Sequence, residues 1–141
     1  MTQEEKDKLL KYLCMALPYG VKAQVLGWDE EKGEVEVPLR IYSINTDGYV
    51  YFENNDYDVN YLYVDEVKPY LRPMESMTEE EKGELYSSCG IISLDFERRT
   101  TDMVAIFNSA KVVDYFKAHH FDFMGLIPIG AAIDCTNLNV Y

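Results

Sequence analysis

The 141-residue sequence is poor in positive charge, with 13 lysine and arginine residues against 25 aspartate and glutamate residues. The resulting formal charge of −12 repels the phosphate backbone of nucleic acids and anionic membrane surfaces. Direct binding to nucleic acid or to a membrane is therefore not expected. The charge permits basic protein partners, cations, or mimicry of a nucleic acid by the carboxylates, and its simplest use is solubility.

Cysteine is also scarce, and Cys14, Cys89 and Cys135 show neither a C-x-x-C pair nor a cysteine–histidine spacing typical of metal sites. No run of 18 apolar residues predicts a transmembrane helix, and the first residues, MTQEEKDK, lack the apolar core of a signal peptide. We therefore expect a cytoplasmic protein with reduced cysteines. The length and the 48% hydrophobic content predict a single domain over residues 1–141.

Recognised catalytic motifs are missing as well. The sequence contains no G-x-S-x-G nucleophile elbow, no phosphate-binding G-x-G-x-x-G or Walker loop, and no kinase signature. Their absence favours a binding protein over an enzyme, and no cofactor is expected.

What is present predicts an α+β fold with helices at the start, middle and end of the chain. Apolar residues at helical spacing indicate helices over residues 3–16 and 110–121, and a capping box indicates a third helix over 79–88. Two capping boxes support the first two helices, because Thr2 precedes Glu5 and Thr78 precedes Glu81 at the required spacing.

Alternating apolar residues predict a curved, mainly antiparallel sheet of four to six short strands. The segments with this pattern are residues 21–28, 33–44, 49–52, 57–64 and 91–96, whereas 103–107 fits either a strand or a helix. Pro38 predicts an edge position or a bulge in the second strand. The two prolines of residues 67–74 predict an extended surface connection, and the apolar stretch 125–135 is expected to be buried.

Tyrosine is the compositional oddity, with 12 residues in the chain. The predicted strands can place several tyrosines on one sheet face, and rigid rings with polar tips suit partner recognition or base stacking. Tyrosine is also a good strand former that tolerates half-burial, so a purely structural use stays open. The candidate contact residues are Tyr49, Tyr51, Tyr61, Tyr63 and Tyr70.

Arg72 is the charged candidate for the same contact region. It stands between Pro69 and Pro73 in the segment PYLRPM, where a rigid backbone would hold its guanidinium ready for a carboxylate or a phosphate. The competing interpretation is an internal salt bridge, because the chain has so many carboxylates.

His119, His120 and Asp122 are the candidates for a metal site, although none is expected. Histidine and carboxylate are suitable ligand types for a transition metal. Adjacent helical positions point about 100° apart, however, so two neighbouring rings do not readily share one ion. Stabilising contacts at the end of a helix are the competing interpretation for the histidine pair.

Three segments of the chain are notable together, LPYGV (17–21), VKPYLRPMESMTEEEK (67–82) and KAHHFDFMGLIPIGAAI (117–133). They resemble segments of a family of small hypothetical proteins of gut Bacteroidales bacteria and their phages. The likeness is local, and Met124 stands where an arginine is common in the family. The resemblance implies a bacterial cytosolic context, an association with phage or mobile DNA, and a short accessory protein that acts by binding.

These observations predict a non-enzymatic binding protein of phage or mobile-element type, with counter-defence as one use. It would sequester a host protein or a small, nucleotide-like anionic ligand. A homo-oligomer is a further option, because strand edges are often covered by a second copy of the same chain. One alternative is a small metal-dependent hydrolase or nuclease-like enzyme that uses His119, His120 and Asp122. The other alternative is a nucleic-acid mimic, which depends on the charge of −12 alone.

Overall fold

A computed structural model describes residues 1–89 and 109–141 of the chain. In these residues the chain forms three α-helices, α1 (Gln3–Ala16), α2 (Glu79–Cys89) and α3 (Ser109–Ala118). All three expected helices are confirmed, although α3 ends earlier than predicted because His120 adopts a left-handed backbone with φ of 61°. The strand predicted over 91–96 and the ambiguous segment 103–107 lie outside the described residues.

Six strands form one sheet in the order β4-β3-β2-β1-β5-β6. All neighbouring strands are antiparallel except β5 and β6, which are parallel. The expected α+β class, the mainly antiparallel sheet and the placement of the helices are therefore confirmed. The strands are β1 (Lys22–Asp29), β2 (Gly33–Ile44), β3 (Tyr49–Phe52), β4 (Tyr61–Tyr63), β5 (Lys68–Leu71) and β6 (Ile133–Asp134).

Helix α1 begins where its capping box predicts. The hydroxyl of Thr2 accepts the Glu5 N–H, and the Glu5 carboxylate accepts the Thr2 N–H. This reciprocal pair satisfies two amides that a helix N-terminus leaves without partners. One face of the helix is buried through Leu9, Tyr12, Leu13 and Ala16, which joins it to the hydrophobic core.

The core lies against one face of the sheet. Along β1, Ala23 and Val25 are buried while Leu26 and Trp28 are 60% and 70% exposed. Successive strand residues point to opposite faces, so this alternation separates a core face from a second face. We call the second face, which carries Leu26 and Trp28, the open face.

Pro38 lies in a part of β2 that has a neighbour on one side only. Strand β3 pairs with β2 over Ile41 to Ile44, so Pro38 is paired with Gln24 of β1 alone. Pro38 therefore has the predicted edge environment, although β2 lies between two paired strands from Ile41 onwards. The irregularity in pairing falls later, between Ile41 and Ser43.

The expected surface connection over 67–74 is wrong. Residues Lys68–Leu71 form β5, an inner strand between β1 and β6, and Leu71 is fully buried. The Val21 carbonyl accepts the Ile41 N–H, so the backbone groups of Val21 point towards β2. Because these groups alternate in direction along a strand, those of Ala23 also point towards β2 and not towards β5. Pro69 lies opposite Ala23 and fits there for this reason. The Ala23–Pro69 pair therefore needs no N–H from proline.

Candidate functional site

Four tyrosines lie side by side on the open face, at the end of the sheet formed by β3 and β4. Tyr49 is opposite Tyr63 and Tyr51 is opposite Tyr61 in the antiparallel register. The ring centroids of Tyr49 lie 5.6 Å from Tyr61 and 5.5 Å from Tyr63, both edge to face, and Tyr51 lies 5.7 Å from Tyr61. We call these four residues the tyrosine patch.

Strand alternation explains why the four rings share a face. The intervening Val50 is fully buried in the core and pairs with Leu62, so the residues on either side of each point away from the core. Edge-to-face contacts are a favourable arrangement for aromatic rings and stabilise the patch. Tyr61 is nevertheless 55% exposed, so a large part of its ring is available to a partner.

A tight turn brings β3 into position. The side chain of Asn45 accepts the N–H groups of Asp47 and Tyr49, and Gly48 has a φ of 88°. The ring of Tyr63 lies 3.3 Å from where a Cβ on Gly48 would be, so glycine is needed both for the turn and for the ring above it. The NTDG motif thus positions the tyrosine patch as well as the hairpin.

A lysine marks one border of the tyrosine patch. The Lys6 ammonium lies 5.4 Å from the ring centroid of Tyr63 and 3.3 Å from the Asp65 carboxylate. A cation over a ring is attracted to its negative face, so this contact ties α1 to the patch. Tyr42, which is 69% exposed, adds a further exposed aromatic ring on β2.

Tyr70 is not part of the tyrosine patch. It lies on β5, two strands beyond β2, and is only 4% exposed. Burial is the main reason that the pKa of Tyr70 is raised. Its backbone carbonyl accepts a hydrogen bond of 2.9 Å from the hydroxyl of Tyr141.

Arg72 follows β5, which is separated from β3 and β4 by β2 and β1 in the strand order, so it is not part of the tyrosine patch. Its guanidinium makes two hydrogen bonds to the Glu81 carboxylate, of 2.8 and 2.7 Å, and lies 4.3 Å from the ring centroid of Phe121. These hydrogen bonds lower the pKa of Glu81 to about 2. The charge of Arg72 is therefore compensated within the protein, as the salt-bridge interpretation predicts.

A surface cleft of about 550 Å³ lies beside this ion pair. Its lining includes Arg72, His119, His120, Cys135 and Tyr141. Burial raises the pKa of the Cys135 thiol, so the thiol is kept in its neutral, less nucleophilic form. The cleft therefore offers a thiol without the activation that nucleophilic catalysis needs.

The structure gives the three metal candidates separate roles. The His119 ring stacks on Tyr115 at 4.2 Å between centroids, and the His120 ring stacks on Tyr141 at 3.5 Å. Asp122 is buried, and its two carboxylate oxygens accept the N–H groups of Leu126 and Ile127, at 2.7 and 2.9 Å. Within residues 1–89 and 109–141, no group of three histidine, cysteine, aspartate or glutamate side chains is arranged to hold a metal ion.

Sequence reasoning missed three residues of interest, Leu26, Trp28 and Tyr141. Leu26 and Trp28 fall at the exposed positions of the alternating pattern of β1. Large apolar residues at such positions were the signal in the sequence that could have identified them. Tyr141 contacts β1 and β5 across more than 70 positions of sequence, and no local pattern predicts such a contact.

No family model, curated protein or solved structure matches this chain. In the part of the chain that the structure describes, no helix combines the length and apolar character needed to cross a membrane.

Proposed function

We propose that this chain is a non-enzymatic binding protein that engages a partner protein through the tyrosine patch. The observation that carries the proposal is the set of four adjacent tyrosine rings in mutual contact on the open face. Tyrosine supplies a large contact area at a low cost in conformational entropy, and exposed aromatic patches mark interaction sites. The resemblance to proteins of Bacteroidales bacteria and their phages supports a cytoplasmic accessory role, with sequestration of a host protein in counter-defence as its use.

A partner protein is favoured over a small anionic ligand because of Arg72. Its guanidinium is already bound by Glu81, so a nucleotide-like anion would have to displace a carboxylate that is covalently part of the same chain. Base stacking on the tyrosine patch would still be available to a nucleotide, but Arg72 is not part of that patch.

The test is retention of host proteins from a Bacteroidales lysate by the immobilised chain. We expect a defined host protein to be retained by the wild type and lost with the double substitution Tyr49→Ala and Tyr61→Ala, because truncation of central aromatic contacts costs about 2 kcal/mol or more each. Ile129→Ala is the matched control, since Ile129 is an exposed apolar residue outside the tyrosine patch.

Two outcomes would overturn the proposal. One is unchanged retention by the double variant while circular dichroism shows that it is folded. The other is a bound species of a few hundred daltons in native mass spectrometry, on the order of a nucleotide in size, with no protein adduct. Competition with DNA for a basic protein, weakening steeply with salt, would instead support the nucleic-acid mimic.

A further inference from the structure

One stretch of β1 has a neighbouring strand on one side only. β5 pairs with β1 at Ala23 and Gln24, whereas β2 pairs with β1 along its whole length to Asp29. From Leu26 to Asp29 the side of β1 that faces away from β2 therefore has no paired strand among the described residues. We call this stretch the β1 edge.

Hydrogen bonding at the start of the strand shows which backbone groups point out from the β1 edge. The Lys22 N–H donates to the hydroxyl of Tyr141, away from β2, at 2.9 Å. Backbone groups in a strand alternate in direction, so those of Leu26 and Trp28 also point away from β2. No described residue hydrogen-bonds to these N–H and C=O groups.

The space beside the β1 edge is a groove of about 490 Å³. The groove is lined by Val25, Leu26 and Leu62 on its apolar side and by Glu36, Asp65, Glu66 and Lys68 among its charged residues. Because Lys68 begins β5, the groove lies where the line of β5 would continue along β1. Its shape and backbone groups therefore suit one added extended strand.

The charge around the β1 edge selects the chemistry of that strand. A second cleft at the tip of the β1–β2 hairpin contains Trp28 and five carboxylates, those of Asp29, Glu30, Glu31, Asp56 and Asp58. The groove adds the carboxylates of Glu36, Asp65 and Glu66. The basic residues beside these carboxylates are Lys68, which lines the groove, and Lys6, which pairs with Asp65. Electrostatic complementarity therefore favours a basic segment.

We propose that the β1 edge binds an extended, basic polypeptide segment as an added β-strand. The proposal rests on the proposed function, because it names the class of partner that such a binding protein would take. The surface it uses is different from the tyrosine patch. A second copy of this chain is a poorer occupant, because each copy carries a formal charge of −12 and the same carboxylates would meet across the pair.

The single tryptophan of the chain, Trp28, gives a direct reporter for the test. The probe is an octapeptide of alternating lysine and valine, titrated against the wild type while Trp28 fluorescence is followed. We expect a saturable change in fluorescence that weakens as salt rises, and slower hydrogen exchange at the Leu26 and Trp28 amides. The matching octapeptide of glutamate and valine should produce neither effect.

Two proline variants separate strand pairing from charge alone. Leu26→Pro removes an N–H at the β1 edge. Glu34→Pro removes an N–H at the opposite edge of the same hairpin. The Arg40 carbonyl accepts the Glu53 N–H on that edge, and Glu34 points the same way because it lies an even number of residues from Arg40 along β2. Neither N–H is used in the β1–β2 ladder, so both variants should fold. Loss of edge hydrogen bonds should weaken octapeptide binding about tenfold in Leu26→Pro only.

The outcomes that would overturn the proposal are equal binding by the two proline variants, no binding by the wild type, or concentration-dependent dimerisation that Leu26→Pro abolishes. Failure here is distinct from failure of the proposed function. The double substitution Tyr49→Ala and Tyr61→Ala should leave octapeptide binding unchanged, while Leu26→Pro leaves the tyrosine patch intact.

Discussion

The ring of Tyr141 lies flat on the imidazole of His120, with centroids 3.5 Å apart and ring planes 8° apart. The hydroxyl of the same tyrosine accepts the Lys22 N–H and donates to the Tyr70 carbonyl, each at 2.9 Å. Lys22 and Tyr70 would form the next pair of the β1–β5 ladder after Ala23 and Pro69. One side chain therefore bridges two strands of the sheet and shields a histidine from water.

Replacing this bridging hydroxyl should destabilise the fold. We expect Tyr141→Phe to lower the free energy of unfolding by about 1–2 kcal/mol, because Lys22 and Tyr70 each lose a backbone hydrogen-bond partner. Urea denaturation at neutral pH measures the change. Tyr42→Phe is the control, since that side chain is 69% exposed and should give no change. Equal midpoints for the two variants would show that the bridge adds nothing.

Stability should depend on the protonation of His120. Burial, with smaller effects from His119, Arg72 and Lys22, lowers the pKa of His120 from 6.5 to about 4. Between these values the unfolded chain binds more protons than the folded one, so the stabilisation is present above pH 6.5 and is lost as the pH falls towards 4. Denaturation midpoints measured across this window should therefore fall with decreasing pH.

His120→Phe tests the origin of this pH dependence, because phenylalanine keeps a ring against Tyr141 and has no proton to gain. The variant should show a flatter stability profile between pH 6.5 and 4. A second loss is expected as the pH falls from 4.5 towards 2. Arg72 is the main cause of the lowered pKa of Glu81, so the unfolded chain takes up this proton at a higher pH than the folded chain does. If the stability of His120→Phe fell with decreasing pH as steeply as that of the wild type, the pH dependence would come from other titratable groups.

Divalent metals should not bind specifically at His119, His120 and Asp122. Both oxygens of Asp122 accept backbone N–H groups and each histidine ring is stacked on a tyrosine, so assembling a metal site would disrupt existing contacts. We expect the melting temperature to be unchanged by EDTA and to respond to zinc identically in the wild type and in His120→Ala. A stoichiometric ion that His120→Ala loses would support the metal-dependent hydrolase instead.

Features set by neighbouring residues can be predicted from the sequence. The capping boxes of Thr2 with Glu5 and of Thr78 with Glu81 form as expected, and so does the turn after Asn45. Each of these involves hydrogen bonds over four positions or fewer, so the local sequence contains both partners. The same local information predicts that Tyr49 and Tyr51 share a strand face.

Contacts between distant residues cannot be predicted in this way. Whether Arg72 meets an external anion or Glu81 depends on how β5 and α2 pack, and the pairing leaves it at the far end of the sheet from the tyrosine patch. The prolines of 67–74 predict a surface connection, yet the direction of the Ala23 backbone groups makes Pro69 acceptable in an inner strand.

Composition, periodicity and short-range hydrogen bonds are enough to predict the helices, most of the strands, the acidic charge and the clustering of tyrosines. The burial of Tyr70, the pairing of Arg72 and the lack of a neighbouring strand at the β1 edge in the described residues emerge only when the chain is folded. Burial and edge position depend on strand order, and strand order is set by packing among residues far apart in the chain.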